Sequence, residues 1–109
     1  MTPNRENLVD CQAIAALFAD FDEDTGKLLL GAAEGDIVEW SEKLIEAWLS
    51  GDEDAQQMAR HSLRGVCLNF GATALLAMSA GDISSKDAID KLRSCRAATL
   101  AALREVASG

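Results

Sequence analysis

The chain has 109 residues, 49% of them hydrophobic, which suffices for one domain with a packed core and leaves no room for two. Eighteen acidic against ten basic residues give a net charge of −8, which disfavours nucleic acid and anionic membrane surfaces as partners. Alanine and leucine abound while proline is nearly absent, so the composition predicts an all-α fold.

The first helix is predicted from about Asn4 to Phe21. Leu8, Cys11, Ile14, Ala15, Phe18 and Phe21 recur at helical spacing, and Thr2-Pro3 ahead of them suits a helix start. The run Asp22-Glu23-Asp24-Thr25-Gly26 interrupts that pattern. Leu28 to Ala33 is apolar all round, and Glu34-Gly35-Asp36 then offers a break. Asp36 with Glu39 has the spacing of a capping box, followed by the stripe Ile37, Trp40, Leu44, Ile45 and Trp48, which stops at Ser50-Gly51. Asp52-Glu53-Asp54 opens the next helix with acids that complement its dipole. That helix is expected to reach Phe70, with Gly71 ending it or starting the next turn.

A short helix, Ala72 to Ser79, stops at Gly81-Asp82. Ser84 with Asp87 caps the last one, whose stripe is Ile89, Leu92, Cys95, Thr99, Leu103 and Val106. Four or five helices with short connections predict an up-down four-helix bundle, with an additional short N-terminal or connecting helix, as a single domain over 1–109. No stretch nears the ~20 apolar residues that span a bilayer, and the polar N-terminus lacks a signal-peptide core. Cys11, Cys67 and Cys95 are too scattered for a metal site, which one histidine makes less plausible still. They read as inward-facing thiols of a protein in the reducing cytoplasm.

Unrolling the helix from Asp52 to Phe70 at about 100° per residue places Ala59, Leu63, Val66 and Phe70 on the core side. The chain's only histidine, His61, falls nearly opposite, among Gln57, Met58, Arg64, Gly65 and Leu68. A lone exposed histidine is ordinarily no more than a surface residue. Its company is less ordinary. Gly65 costs the helix about 1 kcal/mol relative to alanine, and it removes a side chain one turn from the imidazole. Arg64 lies within reach of anything bonded to the ring. Met58 and Leu68 put apolar groups on a wet face. Together these describe a docking site with room for an anion.

The stretch His61-Ser62-Leu63-Arg64-Gly65-Val66-Cys67-Leu68-Asn69-Phe70-Gly71-Ala72 resembles the signature of histidine phosphotransfer (HPt) domains, which reads roughly Ala-His-x-Leu-Lys-Gly, a few small residues, then Asn-Leu-Gly-Ala. His61, Leu63, Gly65, Asn69, Gly71 and Ala72 match. Arg64 stands where the family has lysine, Arg60 where it has alanine, and Val66 and Leu68 are bulkier than usual.

The resemblance implies a phosphorelay protein. His61 would accept a phosphoryl group from the aspartyl phosphate of a response regulator receiver domain and pass it to another receiver. Arg64 would stabilise the transferring charge, and Gly65 would give the partner access. Gln57, Met58, Arg60, Leu68 and Asn69 would form the partner surface. The chain itself would hold no cofactor or metal, Mg²⁺ residing on the receiver. Receiver domains and a hybrid histidine kinase are the implied partners of a monomeric phosphoryl carrier. Such a carrier is not a turnover enzyme and has no ATP-dependent kinase activity of its own. The alternative is a helical-bundle adaptor or inhibitor that binds a receiver or kinase without carrying phosphate.

Overall fold

Aspartate and serine side chains cap four of the five helices that lie within the described residues. Asp10, Asp22 and Asp52 accept hydrogen bonds from the amides of Ala13, Thr25 and Ala55, three residues on, at 3.1, 2.7 and 3.0 Å. Each satisfies one of the amides that a helix leaves without an internal partner. The helices that follow are α1 (Cys11–Ala19), α2 (Glu23–Ser50) and α3 (Glu53–Asn69), and then α4 (Thr73–Ser79) and α5 (Lys86–Ser108). The computed structural model describes residues 8–108 of the chain, with only the backbone of Ser108, and no strand occurs among them. The fold class is therefore all-α.

Three local readings of the sequence are corrected. The first stripe does not run as one helix: Asp10 is extended and caps α1, which starts at Cys11, while the expected start at Thr2-Pro3 and Asn4 lies outside the described residues. The break at Glu34-Gly35-Asp36 is absent, and α2 runs unbroken for 28 residues. Ala33 and Ile37 are both buried, and Glu34 pairs with Arg104 of α5 at 2.7 and 2.8 Å, so packing on both sides of Gly35 carries the helix through. The cap of α5 is Ser85, not Ser84: the Ala88 amide donates to Ser85 Oγ at 3.0 Å. The Ser84 amide is instead held by Asp82 Oδ1 at 2.8 Å.

Left-handed glycines end α2 and α3. Gly51 (φ 72°) closes α2, and its amide bonds to the carbonyls of Ala47 and Trp48. Gly71 (φ 63°) follows α3, after which the Ala72 amide returns to the Cys67 carbonyl at 2.8 Å. Both are positions where an L side chain is strained. Gly71 has a second duty. Its carbonyl accepts from the Asp10 amide at 2.7 Å, and a Cβ there would lie 3.1 Å from Asp10 Cβ. The entry to α1 is thus pinned to the exit of α3.

The helices share one core. Ile14, Ile37, Leu44, Leu63, Leu75, Leu92 and Leu103 are all fully buried in it. Helix α2 packs on α3 and α5, α4 packs on α3 and α5, and α1 packs on α5. The expected stripes of α2 and α5 face this core, but Ala15 on α1 and Phe21 beyond its end are exposed. The three cysteines are free: Cys67 is buried, Cys11 and Cys95 half-buried. Burial, with Cys95 nearby, pushes the Cys67 thiol up to about 12, which leaves it inert at neutral pH.

Glu42 joins α2 to α5. It accepts from Arg93 Nε and Nη2 at 3.1 and 2.8 Å and also from Arg96, whose Nη1 donates to the buried Ser41 Oγ at 2.8 Å as well. These hydrogen bonds, that from Arg93 foremost, hold the Glu42 carboxyl down at about 2 against an ordinary 4.5. A depressed carboxylate stabilises the fold above its unfolded value and loses that contribution as pH falls through the folded one. Because the group is part-exposed, Glu42→Gln is expected to cost only about 1 kcal/mol at pH 7. The gap from wild type should shrink between pH 4.5 and about 2, as read by urea unfolding across that range. Gly71→Ala, forced into the left-handed region against Asp10, is expected to cost about 2 kcal/mol by the same measurement.

Candidate functional site

Which face of α3 meets solvent is decided by its buried side chains. Ala59, Leu63 and Cys67 follow one another at four-residue intervals, are 2%, 0% and 1% exposed, and with buried Phe70 define the inner face. Cys67 takes the place expected for Val66, which is half-buried at the edge. The reason is geometric: at 3.6 residues per turn, the fourth residue after Leu63 stays closer to its line than the third.

His61 is consequently exposed, as are Gln57, Met58, Arg64, Gly65, Leu68 and Asn69. The structure brings seven of the eight expected site residues onto the open face of one helix. Arg60 is the exception, half-buried at its margin. The Arg60 Nε donates to the Ser79 carbonyl at the end of α4, at 3.4 Å. Next to His61 the surface is low, because a Cβ built on Gly65 would meet nothing within 4 Å. Met58 and Leu68 are 65% and 57% exposed, so apolar surface stands beside the imidazole.

The charges around His61 differ from those of the rest of the surface. Lys27, Lys43, Lys91, Arg93, Arg96 and Arg104 are all ion-paired with carboxylates. Arg60 and Arg64 have no carboxylate partner among the described residues, a condition shared only with Lys86 at the start of α5. In a chain with eight more acidic than basic side chains, two guanidiniums free of carboxylates among the described residues flank the only histidine. Such a site attracts an anion and has the donors to bind it.

One feature escaped the sequence. A groove of about 300 Å³ runs between the end of α2 and the start of α3, lined by Trp40, Lys43, Ala47, Ala55, Met58 and Ala59 among others. Lys43 Nζ lies 4.5 Å from the centre of the Trp40 ring, a cation–π contact that seals one wall. Met58 belongs to both the groove and the histidine face, so the two are continuous. Only the packing of α2 on α3 creates the groove, and no spacing within one helix signals it.

Among the described residues, no three side chains of histidine, cysteine, aspartate or glutamate gather where a metal could be held. No helix of these residues is long and apolar enough to cross a membrane. Comparison of the chain with family models, curated proteins and solved structures finds no match.

Gly65 yields a test that separates site from scaffold. Its backbone is helical and its surroundings are open, so Gly65→Ala is expected to raise stability by about 0.5–1 kcal/mol in urea unfolding. A loss of stability would show that Gly65 serves helix packing.

Proposed function

We propose that this chain is a histidine phosphotransfer protein of a two-component phosphorelay, with His61 as the phosphoryl acceptor. The observation that carries the reading is the exposed face of α3. The only histidine stands there in the open, between a glycine that clears its approach, two arginines without a carboxylate partner among the described residues and two exposed apolar side chains. The resemblance of 61–72 to the HPt signature supports the same reading. In it, α2, α3, α4 and α5 are the four helices of an up-down bundle and α1 is the additional short N-terminal helix. The mutual packing of α2 with α3, α3 with α4, α4 with α5 and α5 with α2 agrees with that arrangement.

The chemistry asks little of the protein beyond position and charge. One nitrogen of the neutral imidazole attacks the phosphorus of a receiver's aspartyl phosphate. A P–N bond forms, the P–O bond to the aspartate breaks, and the carboxylate leaves with that electron pair. The other ring nitrogen keeps its proton until solvent removes it. Three phosphoryl oxygens carry the charge through this step. Arg64, one turn along from His61, offers them a planar fork of N–H donors. Mg²⁺ belongs to the receiver. The reverse step passes the group to a second receiver, so the chain is a carrier between receiver domains, including that of a hybrid histidine kinase.

Gly65 lets the partner's aspartate come within bonding distance, and Met58 and Leu68 give a small interface its apolar contact. Gln57 and Asn69 complete the polar rim. The chain acts as a monomer.

The test uses a panel of receiver domains phosphorylated with acetyl phosphate. At least one is expected to transfer label to the chain, in a form that acid releases and alkali preserves. His61→Ala should abolish it. Arg64→Ala should slow transfer by about tenfold or more, the loss of one charge-assisted contact. Leu68→Asp should weaken transfer by a similar factor. An unlabelled wild type, or label that survives His61→Ala, would overturn the assignment.

A further inference from the structure

The face around His61 has a direction. Viewed down α3, Arg64 and Arg60 lie to one side of the histidine and Gly65, Met58 and Asn69 to the other. The arginine side borders α4, where Ser79 receives Arg60 Nε. The methionine side borders α2 and opens into the groove walled by Trp40 and Ala47. A protein seated over His61 therefore meets positive charge on one flank and apolar surface on the other.

Arg60 and Arg64 are four residues apart, so two like charges stand one above the other and repel. The Nε bond holds the Arg60 guanidinium against the end of α4, while its two terminal NH₂ groups keep no partner among the described residues. The carbonyl it binds ends a helix, where the dipole favours a cation. The arginine is held at its stem and left open at its tip.

We propose that Arg60 is a docking residue that determines specificity. Its terminal NH₂ groups take an acidic side chain of the protein partner, one that lies to the α4 side of the partner's phosphorylated aspartate. This rests on the phosphotransfer reading of His61 and adds the partner's chemistry and orientation to it. Partners with an acidic residue on that flank are captured and the rest are rejected by mismatch. Arg64 alone faces the phosphoryl group, since residues three apart share a helix face and adjacent ones do not. Arg60 accordingly changes how often a productive complex forms, not how fast phosphate moves within it.

The experiment takes the receiver domain that labels the wild-type chain fastest and measures transfer against receiver concentration, at low and high salt. Arg60→Gln keeps an N–H donor for the Ser79 carbonyl and discards the charge. It is expected to raise KM about tenfold at low salt, leave kcat within about twofold, and flatten the salt dependence, with the melting midpoint unchanged. Arg60→Lys should recover most of the lost KM.

An unaltered KM in Arg60→Gln overturns the proposal, and so does a kcat that falls with kcat/KM, which would put Arg60 on the phosphoryl group. Arg60→Gln and Arg60→Lys equally impaired, with lowered midpoints, would make the residue a structural tether and overturn it too. A wild type that no receiver labels removes the phosphotransfer reading and this inference with it, a result distinguishable from all the others.

Discussion

Leu63 fixes the rotation of α3 about its own axis. It is wholly buried, with Ala59 and Cys67 beneath the surface one turn to either side, and turning the helix to expose it would strip a leucine from a packed core. Such an exposure costs about 2 kcal/mol or more for the side chain alone. With that stripe seated against α2, the opposite stripe has no choice but to face water. His61, Gly65 and Leu68 are on it. The accessibility of the histidine is therefore a consequence of core packing, and no residue near His61 has to enforce it. The capping aspartate at 52 and the left-handed glycine at 71 set where this helix starts and stops.

A second consequence concerns charge. The acids of α2 take up the arginines of α5: Glu34 pairs with Arg104, and Glu42 with both Arg93 and Arg96. Lys27 and Lys43 on α2 and Lys91 on α5 pair along their own helices. Among the described residues, the basic side chains left without a carboxylate partner are Lys86 and, together on α3, Arg60 and Arg64. With a net charge of −8 on the chain, the two arginines form a local exception whose field is felt only at close range, within about a Debye length.

Much of this was legible in the sequence because α3 has a regular apolar stripe and a single histidine facing away from it. The rest depended on tertiary packing that one-dimensional patterns do not hold. Asp36 and Glu39 have the spacing of a capping box, yet they sit inside α2, because buried Ala33 and Ile37 and the Glu34–Arg104 pair outweigh the local preference for a break at Gly35. Asp10, inside the first stripe by the sequence pattern, instead starts α1, with its amide bonded to the Gly71 carbonyl in a contact seen only in space. Arg60 reads from the sequence as part of the exposed partner surface, and only the folding back of α4 offers it the Ser79 carbonyl. The groove beside Met58 likewise exists only where α2 crosses α3.

The central claim is that His61, and no other side chain, receives the phosphoryl group. It is tested most directly by tandem mass spectrometry under alkaline conditions, after the intact chain has met a phosphorylated receiver. The account predicts one added phosphoryl group, on the peptide that contains His61 and on the imidazole itself. A phosphoryl group found on a serine, threonine or aspartate, or none found at all, would contradict it.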